Sequence, residues 1–165
     1  MAELAAILDE LDGLQVETQP QRVRRRSRDF YWYSPILKRQ LDHVTGDAVV
    51  TVRDEAELIR VLRWAYAHDV PLTVRGGGTG NYGQAMPLEG GVVLDLSAMT
   101  RVKEIALGKV RVEAGATILD VDRACQEASG QELRFRPSTR ATGTIGGYVA
   151  GGSSGIGSIT WGLLR

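Results

Sequence analysis

The sequence predicts an α+β fold of two small α/β subdomains, and three observations carry that reading. Short apolar strands alternate with amphipathic helices as far as about residue 100, after which an antiparallel strand pair precedes another helix. Eighteen of the twenty glycines lie after residue 75, and the unusual backbone work they imply is confined to 76–83 and 143–157. At 165 residues, 43% apolar and 24% charged, the chain suffices for one ordinary soluble domain or two very small ones. The resulting division is an N-terminal helix with a basic and aromatic linker over 1–45, a first subdomain over 46–100, and the beginning of a second over 101–165.

The elements follow in order. Residues 3–14 place Leu4, Ile7, Leu8, Leu11 and Leu14 on one face of a short amphipathic helix, with acids on the other. Five arginines in the seven positions from Arg22 to Arg28 read as a solvated, mobile charge run. The aromatic stretch FYWYSPIL (30–37) reads as a packing anchor. AVVTVR (48–53) alternates as a strand does, and Asp54-x-x-Glu57 is a capping box for a helix through Ile59, Leu62, Ala65 and Tyr66 that must stop before Pro71. Strands are expected at 70–74 and 90–97, and an antiparallel pair within 101–115. Thr117-x-x-Asp120 opens a helix with Ile118, Val121, Cys125 and Ala128 inward, and 132–137 reads as a strand ended by Pro137. Thr142 or Thr144 is placed to cap a short helix through Ile145, Tyr148 and Val149.

Composition narrows the function classes. Twenty basic and twenty acidic side chains give a formal net charge of zero, so no global field draws the chain to nucleic acid or anionic membrane. A nucleic-acid module built on Arg22–Arg28 would also need a reading motif, and none is present. The single Cys125 excludes an internal disulfide and a multi-cysteine zinc site, which makes the cytoplasm the default compartment. His43 and His68 are isolated and read as structural or solvated, so no metal site is expected. No stretch approaches the ~20 apolar residues of a membrane span, and MAELAAILDELDGL has neither the basic start nor the apolar core of a signal peptide.

The glycine segments carry the chemistry. Gly78-x-Gly80-x-x-Gly83 follows a strand, as a dinucleotide fingerprint does, but Pro87 and the strand start at Gly90-Gly91 leave no room for the crossover helix that a Rossmann loop must open. Gln84-Ala85 after Gly83 also excludes a P-loop. What remains is a loop whose glycines let several amide N–H groups turn to one point, an anion nest, with Arg75, Thr79, Asn81 and Gln84 around it. In the second segment Gly146, Gly147, Ala150, Gly151 and Gly152 let something flat or bulky lie against a short helix and its N-terminus. The two segments together suggest one large ligand with two phosphates and a wide aromatic ring.

Three ordered stretches, VPLTVRGGGTGNYGQAMPLEGGVVLDLSAMTRV, VRVEAGATILDVD and RPSTRATGTIGGYVAGGSSGIGSITWG, resemble the FAD-binding domain of the vanillyl-alcohol oxidase and p-cresol methylhydroxylase family. Within it the chain looks most like FAD-linked glycolate and D-lactate dehydrogenases, over residues 45–165. The resemblance implies the PCMH-type FAD-binding fold, with the second subdomain apparently truncated, since the family's FAD domain continues beyond WGLLR and a separate substrate domain follows. It implies that Arg75, Gly76, Gly77, Gly78, Thr79, Gly80 and Asn81 form the pyrophosphate loop and that Gln84, Pro87 and Leu88 continue along the cofactor. Pro137, Ser138, Ala141, Thr142, Gly143, Thr144, Gly146 and Gly147 match the segment that passes the flavin and its ribityl chain, and Gly151, Gly155 and Gly157 the glycine-rich stretch after it.

Relatives that tether the flavin through the first loop do so with histidine at the position of Thr79, so noncovalent FAD is expected. The implied activity is oxidation of a small 2-hydroxy acid, the flavin accepting the hydride. No catalytic base is named, and residues 1–165 alone are expected to be nearly inactive. A shortened second sheet would leave an open edge, which predicts self-association or pairing with the remainder of the domain. On the same fold, an FAD-dependent reductase of a nucleotide-sugar enol ether is the runner-up. A flavin-free subunit that keeps the fold is the rival from another class, though the loop glycines it would lose are intact.

Overall fold

The computed structural model describes residues 6–164 and divides into two compact units, Met1–Ala98 and Met99–Arg165. In the first, β1 (Gln15–Glu17), β2 (Ala48–Thr51), β3 (Leu72–Arg75) and β4 (Val92–Asp95) form one sheet in the order β1-β2-β4-β3. β4 runs parallel to both β2 and β3, and β1 closes the other edge antiparallel to β2. Every residue of β4 is buried, as are Ala48, Val49 and Val50 of β2. That is the continuous apolar run of strands covered on both faces, in place of strict alternation.

α1 (Pro20–Arg26) packs on this sheet by burying Val23 against Val49 and Val93. The arginine run is therefore helical and not a free charge run. Arg22 reaches Glu17 at 2.9 Å, Arg24 the Asp42 carbonyl at 3.0 Å and Arg26 the buried Asp95 at 2.9 Å. Glu17 lies just before the run, but Asp42 and Asp95 come from distant segments, which is why the run looked largely unpartnered in the sequence. The aromatic stretch is likewise only partly an anchor. Tyr31 is fully buried and its hydroxyl donates to Asp42 at 2.7 Å, whereas Phe30, Trp32 and Tyr33 stack on one another at the surface. α2 (Pro35–Leu41) follows, capped by Ser34.

Leu8 and Leu11 are buried, but the helical turns of the N-terminal segment end at Leu11, before Gly13 turns the chain into β1; Leu4 lies outside the described residues. α3 (Glu55–Ala67) starts at the expected box: Asp54 accepts from the Glu57 amide at 2.9 Å, and Glu57 accepts from the Arg53 amide at 2.8 Å. Its buried face is Val61, Trp64 and Ala65, while Ile59, Leu62 and Tyr66 are exposed. The apolar stripe is wide enough to offer two faces. The choice falls to the one that lets the Trp64 indole N–H reach the Ile7 carbonyl at 2.9 Å.

In the second unit β5 (Val102–Ala106) and β6 (Lys109–Val112) make an antiparallel hairpin, and α4 (Ile118–Ser129) lays Val121 and Cys125 on it, with Ala116, Ile105, Val110, Val112, Leu133 and Ile145 completing the core. Ala128, expected inward, is exposed, because α4 ends in the next turn at left-handed Gly130. Burial pushes the Cys125 thiol up, as suits a small core residue. Residues 132–137 form no strand: one isolated bridge joins Arg136 to Ile156. The Leu133 amide is taken by the Asp122 carboxylate at 2.8 Å, so the backbone there pairs with a helix side chain instead of a ladder. α5 (Ile145–Ala150) and α6 (Ser158–Trp161) complete the unit. No described helix is long and apolar enough to cross a membrane.

Candidate functional site

β2, β4 and β3 are parallel, so their carboxyl ends share one side of the sheet, the side on which open parallel sheets receive ligands. The glycine loop leaves from the carboxyl end of β3. Among the described residues, no acceptor is found for the amide N–H groups of residues 76 to 81, while the carbonyl of Gly80 accepts from the Phe30 amide at 2.8 Å. Unsatisfied backbone donors on this scale are rare unless they face water or a ligand. Gly78 has φ 64°, a left-handed conformation that breaks the strand direction and turns neighbouring amides together.

The surrounding side chains sort by direction. Arg75 does not hang free beside the loop. Its Nη1 donates to the Arg28 carbonyl at 2.6 Å, and the guanidinium lies so near the Gly78 Cα that a Cβ there would come within 2.1 Å of Nη2. Burial lowers the Arg75 pKa, opposed first by the charge of Asp95. Gln84 folds back to accept from the Tyr82 amide at 3.1 Å, closing the loop on itself. Thr79 is half-buried and Asn81 exposed. Pro87 is fully enclosed by protein, so it anchors the returning chain together with buried Met86 and has no surface for a ligand; Leu88 is 63% exposed.

Sequence reasoning missed Asp29. The residue is 4% exposed; Oδ1 accepts from the Tyr31 amide at 2.8 Å, and the buried Oδ2 has no hydrogen-bond partner among the described residues. That oxygen lies 3.1 Å from where a Gly80 Cβ would stand. A single aspartate behind an arginine run belongs to no motif and no periodicity, so nothing local in the sequence marks it.

In the second unit Thr144, and not Thr142, caps α5, its hydroxyl accepting from the Gly147 amide at 3.3 Å. The first turn of α5 keeps no free donors. Ile145 and Gly146 donate to the carbonyls of Ala116 and Ala114 at 2.9 and 2.8 Å, and Tyr148 to the Thr144 carbonyl. The expected helix N-terminus is thus used by the protein itself. Gly146 is glycine because a Cβ would meet Ala114 at 2.7 Å, and Gly155 and Gly157 because theirs would stand 2.5 and 1.8 Å from the carbonyl oxygens of Arg136 and Arg134. Pro137 is half-buried and Gly143 buried, its carbonyl accepting from the Ile118 amide at 3.1 Å. Ser138, Ala141, Thr142, Gly147 and Gly151 are exposed.

Neither histidine belongs to this arrangement. His68 ends α3 with Nε2 at 2.8 Å from Glu10, and His43 is exposed. Among the described residues no cluster of His, Cys, Asp and Glu could hold a metal ion.

An unpartnered row of amides above a side-chain-free turn suits a ligand that brings several acceptor oxygens to one place, and a pyrophosphate does so. The residues present therefore fit FAD, the group that the family implies. The model of an FAD binding domain matches residues 46–165. The D-lactate dehydrogenase of Archaeoglobus fulgidus is 34% identical over 119 residues, 71% of this chain and 26% of that protein. The glycolate oxidase subunit GlcD of Bacillus subtilis is 35% identical over 121 residues, 72% of this chain and 26% of that protein. The chain thus spans about a quarter of the length of these curated relatives. A solved structure of alkyldihydroxyacetonephosphate synthase superposes with a TM-score of 0.81 at 20% identity, covering 96% of this chain and 31% of that one, a likeness of fold.

Proposed function

The chain belongs to the FAD-binding domain family, with the PCMH-type fold, and from that premise we propose that the whole protein oxidises a small 2-hydroxy acid of the glycolate or D-lactate type, using noncovalent FAD. The observation that carries the cofactor part is the set of free amides of residues 76 to 81. They bind the pyrophosphate, and Thr79 on the same loop offers no nucleophilic imidazole for a covalent tether. In the second unit the backbone at Gly147 and Gly151 and the residues Ser138, Ala141 and Thr142 are exposed, and we assign them to cofactor binding on the strength of the family match. When bound, FAD supplies the two-electron acceptor, while the protein supplies position and exclusion of water. The substrate class rests on the relatives named above. A cytoplasmic setting belongs to the same reading and is supported by the lone, buried thiol of Cys125.

The test is anaerobic mixing of the purified, flavin-loaded protein with glycolate, D-lactate and a nucleotide-sugar enol ether in the presence of NADPH. Bleaching of the visible flavin absorbance by a 2-hydroxy acid supports the reading. Bleaching by NADPH with turnover of the enol ether alone, or by none of them, rejects the substrate class.

A further inference from the structure

We infer that residues 28–30, outside the glycine motif, hold the pyrophosphate loop from behind, with Asp29 and Arg75 as positioning residues that fix the direction of its amides. The inference rests on the reading of the loop as a pyrophosphate site. Three successive residues reach the loop, the first at Arg75 and the other two at Gly80. The Arg28 carbonyl accepts from Arg75 Nη1 at 2.6 Å, the Asp29 carboxylate abuts Gly80, and the Phe30 amide donates to the Gly80 carbonyl at 2.8 Å. One grip stands just before the free amides, at Arg75, and the others fall among them, at Gly78 and Gly80.

Neither charged group is placed to touch a ligand. Arg75 spends its guanidinium on a backbone carbonyl and against the bare Cα of Gly78, and its buried Nε has no partner among the described residues. Asp29 Oδ2 is shielded from solvent behind Gly80. Both therefore act through the loop. Their charges are matched: Asp95 and Asp29 each favour the charged form of Arg75 against the burial that opposes it, and Asp95 is itself 2.9 Å from Arg26. With the buried cation balanced, the amide dipoles are what an incoming anion meets.

Asp29→Asn keeps the acceptor that Oδ1 offers to Tyr31 and removes the charge; Arg75→Lys keeps the charge and removes the planar donor. Two readouts in the whole protein test the inference. Trypsin cleavage after residue 75, followed by mass spectrometry without flavin, reports release of the loop. Titration with FAD reports its binding geometry. Both variants should be nicked after residue 75 faster than wild type, and each should weaken FAD by about tenfold, the double variant being little worse than either single one. Unchanged nicking together with unchanged FAD affinity overturns the inference. Additive losses of FAD affinity with unchanged nicking overturn it too, because they assign Arg75 to the ligand. If Asp29→Asn does not fold, Arg75→Lys carries both readouts alone. A wild-type protein that binds no FAD rejects the flavin reading, and the nicking result then decides the brace by itself.

Discussion

The loop after β3 and the segment from residue 143 to 157 are both rich in glycine, yet they use it for opposite purposes. In the first, the amides of residues 76 to 81 find no acceptor among the described residues. In the second, Gly146, Gly155 and Gly157 let the chain press against its own backbone, and the opening amides of α5 are consumed by Ala114, Ala116 and Thr144. The lesson is that a count of glycines does not separate a ligand loop from a packing device. Tracing where each amide goes does.

Four changes sharpen or break that contrast. The largest effect is expected at Gly157, which has φ 105° and where an added Cβ would stand 1.8 Å from the Arg134 carbonyl oxygen. Gly157→Ala should cost about 3 kcal/mol of stability, read as a fall in the thermal midpoint, with FAD affinity of the folded fraction kept. Next is Gly78→Ala, which meets the Arg75 guanidinium and a left-handed φ in the ligand loop. It should weaken FAD by about thirtyfold, near 2 kcal/mol, while moving the thermal midpoint less than Gly157→Ala does. The contrast collapses if the two variants exchange signatures.

A smaller effect is expected from Thr144→Ala, which removes the α5 cap and should cost about 1 kcal/mol in denaturant unfolding. The smallest concerns pH. Glu113, buried beside the second unit's hairpin, accepts from Arg101 Nε at 2.9 Å and from its amide at 3.0 Å, and these bonds hold its pKa below the usual glutamate value. A depressed folded-state pKa gives stability that is complete above the unfolded value and lost as pH falls through the folded one. Glu113→Gln should therefore flatten the acid side of the stability profile below about pH 4.5 and leave the neutral side parallel to wild type. A profile of unchanged shape would remove Glu113 from the account.

Much of this was legible in the sequence because the signals are local. Asp54 and Glu57 at α3, Thr117 and Asp120 at α4, and the β5–β6 alternation each declare themselves within a few residues. The exclusion of a Rossmann loop came from spacing, and that of a P-loop from the residue types after Gly83. What stayed hidden depends on partners far along the chain. The face of α3 is decided by Trp64 meeting Ile7, the order of the arginine helix by Asp42 and Asp95, and the fate of 132–137 by Asp122. At the site, the left-handed turn at Gly78 could be read, whereas the burial of Asp29 and the inward turn of Arg75 could not, because Arg75 meets Arg28, 47 residues away, and Asp29 meets Gly80, farther still.

The most direct test of the central claim compares FAD with riboflavin, which has the same ring and no pyrophosphate, as ligands of the purified apoprotein. Free amides that grip a pyrophosphate predict FAD binding tighter by a factor of about 100 or more, with Gly78→Ala removing most of that advantage. Equal affinity for the two, or an FAD preference that survives Gly78→Ala intact, would contradict the account.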